Sequence, residues 1–195
     1  MKPKRASERQ SVPGPQLTIP VDERRDHVQG RPDAAVTLVE YGDYQCPYCG
    51  AAYPIVKQLQ QTVGDPLRFV FRNFPLTQLH PRAEFAAELA ESAGSHGKFW
   101  EMHDFIFENQ RSLDDSTPFL RFAQERLRLD SEVLGTEVAQ HVHRKRVEED
   151  FMSGVRSGVN GTPTFFINGT RHDDDFELDT LSRAIRAAFG GRRSP

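Results

Sequence analysis

Cys46-Pro47-Tyr48-Cys49 stands directly behind a run of residues made for burial, and this juxtaposition limits the fold more than any other feature. Val36-Thr37-Leu38-Val39-Glu40-Tyr41 is β-branched and apolar and is closed by Gly42, which predicts a buried strand. Beyond the second cysteine, Ala52, Ile55, Val56, Leu59 and Val63 recur at helical spacing up to Gly64, so a helix is expected to start at the cysteine pair. Pro54 lies inside that helix and is expected to kink it. A strand that hands over to a helix at this point offers free N–H groups and the positive end of the helix dipole to the first thiol. Cys46 is therefore expected to carry a depressed pKa and to act as a nucleophile. Cys49, one turn inside the helix, would be the resolving thiol that closes a local disulfide.

These are the only two cysteines among 195 residues, too few for a disulfide framework and enough for one redox pair or half a metal site. Zinc would need further ligands, usually histidines. His27, His80, His96, His103, His141, His143 and His172 contain no pair three or four apart, and His141 and His143 diverge on a helix. No metal and no cofactor are expected. The histidines read as surface or capping residues, and His103, between Met102 and Asp104, as a packed one.

Leu67-Arg68-Phe69-Val70-Phe71-Arg72 alternates strictly and predicts a second strand ended by Phe74-Pro75. From His80 to about Ser157 the pattern is helical. Pro81 suits a first turn, and Phe85, Leu89 and Ala93 lead to a stop at Gly94. Phe99, Met102 and Ile106 mark the next helix, and Ser116-Thr117-Pro118 is expected to cap another. Val147, Phe151 and Val155 mark the last of the block. Strand character returns in Pro163-Thr164-Phe165-Phe166-Ile167. Asn168-Gly169 then signals a hairpin into Thr170-Arg171-His172, and a closing helix covers about 177–189.

Residues 1–31 hold four prolines, seven basic and four acidic residues and no periodicity, and are expected to form a flexible polar tail. The folded unit is then 32–190, with a short tail at 191–195. An apolar content of 37% supports one core, and a net charge of −3 argues against gripping nucleic-acid phosphates. No apolar run is long enough for a membrane span or a leader, and Arg24-Arg25 is followed by Asp26 and His27. The expected location is cytoplasmic, with export as the alternative where a leader or anchor has been removed.

Two further features carry chemistry. Glu40 sits in a buried run six residues before Cys46; a carboxyl there would have a raised pKa and could take the proton from Cys49. Gly161-Thr162-Pro163-Thr164 places a proline at the head of a strand, a setting suited to a cis peptide. A cis bond would turn the Thr162 backbone outward to pair with an extended substrate.

Together these residues resemble the DsbA-like family of thioredoxin-fold thiol–disulfide oxidoreductases. The likeness covers nearly all of the chain after about residue 26. It is carried by residues 39–49 (VEYGDYQCPYC), by Phe74-Pro75-Leu76 with His80-Pro81, by 97–103 (GKFWEMH) and by 158–169 (GVNGTPTFFING). It implies an α/β thioredoxin fold with a helical insertion, about 80–157, between the second strand and the cis-proline strand. By position it implies that Cys46 attacks, Cys49 is the buried thiol, Glu40 the buried acid and Pro163 the cis-proline. Pro47, Tyr48, Thr162 and Pro163 would meet the substrate.

Two departures stand out: no export signal is visible, and Asp173-Asp174-Asp175 follows the last hairpin where relatives often have glycine. Tyr48 adds no charge between the cysteines, so the expected potential lies between about −120 and −270 mV. The expected partners are cysteine-containing proteins and an unidentified redox partner. CPYC also resembles glutaredoxins, which makes a glutathione-linked reductase the first alternative, and a non-enzymatic redox-sensing or binding module the second.

Overall fold

The computed structural model describes residues 14–190. Its strands are β1 (His27–Gln29), β2 (Val36–Gly42), β3 (Leu67–Asn73), β4 (Thr164–Ile167) and β5 (Thr170–His172), in one sheet of order β1-β3-β2-β4-β5. β2 is parallel to β3, from Val36 opposite Leu67 to Gly42 opposite Asn73, and antiparallel to β4. The crossover that a parallel pair requires is α1 (Pro47–Val63). This is the expected thioredoxin fold.

Side chains alternate across the pleat. Val36 and Leu38 of β2, with Phe69 and Phe71 of β3, pack against Cys49, Ala52, Val56 and Leu59 of α1. Leu181 and Ile185 of α7 (Leu178–Gly190) join the same core. Glu40 shares the parity of Val36 and Leu38, so it lies on the face that α1 covers. The opposite parity puts Val39 and Tyr41 with Val70, Phe74 and Phe166 in a second core. Each fully buried large apolar side chain contributes roughly 1.5–3 kcal/mol.

Between β3 and β4 come α2 (Ala83–Ser95), α3 (Phe99–Glu108), a 3-10 turn at Gln110–Ser112 and α4 (Thr117–Phe122). A π-helical turn over Ala123–Leu127, α5 (Ser131–Ala139) and α6 (Arg144–Arg156) complete the block. This is the expected insertion, with Leu89, Met102, Ile106, Phe119 and Leu134 fully buried. Details differ. α2 passes Gly94 and turns at Gly97, whose φ of +72° suits glycine, while Lys98 N–H returns to Ala93 O at 2.9 Å. The Ser116 hydroxyl does not cap α4; Asp115 accepts from Thr117 N–H instead, at 2.9 Å. Val155 is 45% exposed, so the buried stripe of α6 ends before it.

The expected tail over 1–31 gives way at residue 14. β1 pairs antiparallel with β3, His27 opposite Phe71, and Gln16 bridges Thr170. Arg72 of β3 is fully buried and donates to both carboxylate oxygens of Asp26 at 2.9 Å, to Ile19 O at 3.0 Å and to Pro20 O at 3.2 Å. Leu17, Val21 and Val28 pack on the second core. The segment is fixed by single apolar residues and by a buried arginine reaching from another strand, neither of which leaves a periodic trace. The expected tail residues 1–13 and 191–195 lie outside the described residues.

Candidate active site

Cys46 is the last extended residue before α1, at φ −68° and ψ 122°, and Pro47 opens the helix. Proline is suited to this position because its missing N–H would have no partner there. Cys46 is 3% exposed and Cys49 wholly buried, and the two are unbridged. The Cys46 thiol points at the carbonyl oxygen of Thr162, 3.4 Å away, and Asp43 N–H donates to Cys49 Sγ at 3.4 Å. The Thr162–Pro163 peptide is cis, as the sequence suggested. Pro47 and Tyr48 are exposed, Tyr48 to 67%, while Thr162 and Pro163 are half-buried beside Cys46.

The two thiols are driven apart electrostatically. A hydrogen bond from the Cys49 thiol is the main influence that lowers Cys46, to about 5. Burial opposes it, while the Thr162 side-chain hydroxyl, as distinct from its carbonyl, and the backbone N–H groups of Cys49 and Tyr48 assist it. Burial, the hydrogen bond given to Cys46 and the nearby charge of Glu40 push Cys49 well above the usual thiol range. Glu40, 3% exposed, is pushed up to about 8, first by burial and then by the Cys46 charge, and its Oε1 has no hydrogen-bond partner among the described residues. A carboxyl that titrates near neutrality beside a thiol that must lose its proton is matched to proton transfer.

Three neighbours escape a reading of the sequence. Asp43 is buried, and its carboxylate accepts from Gln45 N–H, Leu76 N–H and His80 Nδ1–H, each at 2.8 Å. It thereby ties the loop before the cysteines to the loop after β3. The bond to Gln45, two residues on, is an Asx-type turn, for which Gly-Asp after a strand is the available signal. His80 thus has a defined partner, and Gln110, whose amide reaches the Tyr44 and Cys46 carbonyls, has no local signal at all. His103 is packed as expected, buried among aromatic rings with Nδ1 2.9 Å from the Tyr44 hydroxyl and held far below the usual histidine range by burial. An open cavity of about 740 Å³ adjoins the cysteine helix, lined by Gln45, Pro47, Phe107, Gln110 and Arg111 among others. No cluster of three or more metal-ligating side chains occurs among the described residues.

Residues 22–187 match the family model described as thioredoxin. The chain belongs to the thioredoxin family. Within it, the helical insertion between β3 and β4 gives this thioredoxin-family protein the DsbA-like form of the fold. BdbD from Bacillus subtilis superposes with a TM-score of 0.79 at 23% identity, over 92% of this chain and 98% of that one. A thioredoxin-like oxidoreductase from Silicibacter pomeroyi gives 0.72 at 28% identity, over 88% and 94%. Wolbachia pipientis alpha-DsbA1 gives 0.74 at 21% identity, over 90% and 95%.

In sequence, the chain is 46% identical over 177 residues to a protein of Salinispora arenicola named Na(+)/H(+) antiporter NhaA 1. That match covers 91% of this chain and 27% of the antiporter. The chain thus spans about a quarter of the length of the curated relatives it matches, and no helix among its described residues is long and apolar enough to cross a membrane. The shared quarter corresponds to a thioredoxin-type unit here, and transport belongs to the name of the longer protein.

Proposed function

We propose that the protein exchanges disulfides with cysteine-containing proteins through Cys46. The observation that carries this reading is the placement of the two thiols at the head of one helix: Cys46 beside the Thr162 carbonyl and exposed Pro47 and Tyr48, Cys49 wholly buried one turn on. This setting lowers the first thiol and raises the second. In the reduced form the Cys46 thiolate attacks a client disulfide. A Cys46–client S–S bond forms, the client's own S–S bond breaks, and one client sulfur leaves as a thiolate. Cys49 gives its proton to Glu40 and attacks Cys46 Sγ, which closes the Cys46–Cys49 disulfide and releases the second client thiolate. Two electrons have then passed to the client, and the reverse sequence oxidises a client dithiol. Pro47, Tyr48, Thr162 and Pro163 flank the sulfur that reacts and supply the surface a client would meet.

Cys46→Ser abolishes turnover on this reading. Cys49→Ser leaves the mixed disulfide unresolved, so client proteins become trapped on Cys46 and are released by reductant. Trapping of glutathione alone favours the glutathione-linked alternative, and failure to trap any thiol favours the binding module. A thiolate near 5 falls between that of strongly oxidising DsbA, about 3.5, and that of thioredoxin, about 7. It supports a potential inside the interval from about −120 to −270 mV. Titration in glutathione buffers checks this and bears on compartment. A value near the thioredoxin end supports cytoplasmic work, whereas one near the DsbA end fits an oxidising compartment.

A further inference from the structure

Gln110 lies in the 3-10 turn after α3, 64 residues from Cys46, yet its side chain reaches the cysteine loop. Its Nε2 donates to Tyr44 O and to Cys46 O, both at 2.8 Å. The Cys46 oxygen also accepts Gly50 N–H at 3.0 Å, a first-turn bond of α1, so the helix and the insertion share its two lone pairs. The other end of the Gln110 amide is fitted to the helix. A Cβ on Gly50 would stand 2.5 Å from Gln110 Oε1 and 3.1 Å from Cδ, and Gly50 does not have the left-handed backbone that would otherwise call for glycine. The amide is therefore clamped between the turn that carries Cys46 and the first turn of α1.

We propose that Gln110 is a positioning residue: by fixing the Tyr44 and Cys46 carbonyls it aims Cys46 Sγ at the first-turn N–H groups, so the helical insertion sets the redox poise of the cysteine pair. The proposal rests on the thiol-exchange reading above. Without Gln110 the Tyr44–Gln45 and Cys46–Pro47 peptide planes lose their common donor, and the Cys46 side chain is free to turn away from the start of α1. Only part of the energy of one lost hydrogen bond reaches the thiolate, so the expected effect is small and in one direction.

The test uses the full chain as Gln110→Ala, Gln110→Glu, Gly50→Ala and the double variant Gly50→Ala/Gln110→Ala. The readouts are thiolate absorbance against pH, the equilibrium with glutathione, and the urea midpoint of the disulfide form. Gln110→Ala should raise the Cys46 titration midpoint by about half a pH unit and shift the glutathione equilibrium about threefold toward the protein disulfide, about 15 mV for two electrons. Gln110→Glu, which turns a carboxylate toward two carbonyl oxygens, should move both readouts at least as far. Gly50→Ala should move them the same way by pushing the amide off its carbonyls, and should add nothing once residue 110 is alanine. A lower urea midpoint with both redox readouts at wild-type values overturns the proposal, because it shows a structural contact only. If the Gln110 variants do not fold, Gly50→Ala alone decides by the same readouts. A wild-type protein with no disulfide couple defeats the thiol-exchange reading instead, and the thiol titration still reports on Gln110.

Discussion

The carbonyl oxygen of Thr162 lies 3.4 Å from Cys46 Sγ, although 116 residues separate them in the chain. The antiparallel pairing of β2 with β4 creates this approach, since the cysteine loop leaves one end of β2 where the Thr162 loop enters β4. On its other side the same sulfur stands at the head of α1, where the Cys49 thiol and the first-turn N–H groups of Cys49 and Tyr48 lower its pKa. The reacting sulfur thus sits between the start of α1 and the loop that enters β4.

Cys46 should titrate with a midpoint near pH 5, read as thiolate absorbance or as the pH dependence of alkylation. The titration should vanish in Cys46→Ser and persist, at a higher midpoint, in Cys49→Ala, which removes the donor at position 49, because the Cys49 hydrogen bond is the chief cause of the shift. The linkage follows. An acid whose folded pKa lies below its unfolded value of about 8.5 stabilises the reduced fold above 8.5, and that contribution is lost as pH falls toward 5. The reduced protein should therefore lose stability relative to the disulfide form between about pH 8.5 and 5. A constant difference across this window would contradict a stabilised thiolate.

Glu40→Gln should stabilise the reduced protein at high pH. The folded carboxyl titrates near 8 and an unfolded one near 4.5, so the native state holds a proton that the unfolded state has already released. Glu40 thus weakens the fold progressively from pH 4.5 to 8, by about 4 kcal/mol at the upper end, and not at all below 4.5. Thermal unfolding of wild type and variant should converge in acid and separate with rising pH. The gap should narrow in the disulfide form, where the Cys46 charge that helps raise Glu40 is absent. Disulfide closure by the variant should slow, because Cys49 loses its proton acceptor.

The cysteine pair, Glu40 and the Thr162-Pro163 step were legible because each sits in a short segment whose pattern is local: an apolar run, a helix start, a Gly-Thr-Pro. Alternation along β2 also places Glu40 on the α1 face once the strand is recognised. Arg72 and Gln110 were not legible. Arg72 ends an alternating strand and reads as an outward charge, and its burial follows from the carbonyls of Ile19 and Pro20, some fifty residues away. Gln110 acts across 64 residues from a turn with no periodicity. Contacts made by one side chain onto remote backbone leave no mark on composition or spacing.

Gly154→Ala tests how closely α6 approaches the sheet. A Cβ there would lie 2.7 Å from Phe74 Cδ2 and 2.9 Å from Tyr41 Cδ1, both in a tightly packed aromatic group. Alanine favours a helix over glycine by about 1 kcal/mol, yet the overpacking costs about 1–3 kcal/mol. The urea midpoint should fall. A rise would mean that α6 can retreat from β3 without loss.

Arg72→Met should be the most damaging of these substitutions to stability and the least damaging to the thiols. Burial raises the Asp26 carboxyl, but the hydrogen bonds and charge of Arg72 more than offset this and hold it below the usual range. Removing the guanidinium leaves that buried carboxylate with Arg25 and the Asp22 N–H alone, and it strips the donors from Ile19 O and Pro20 O. Breaking a buried pair from one side costs about 3–5 kcal/mol, whereas replacing both partners by apolar groups can be nearly neutral. Arg72→Met/Asp26→Leu should therefore recover much of the loss. Hydrogen exchange should quicken first over residues 16–29, where the segment loses its anchor on β3. Arg72 shares the parity of Val70, on the sheet face away from α1, so the Cys46 titration midpoint should remain near 5 in both variants. A midpoint that moved with Arg72 would show that the two faces are coupled through β2, and would make the buried arginine part of the redox site.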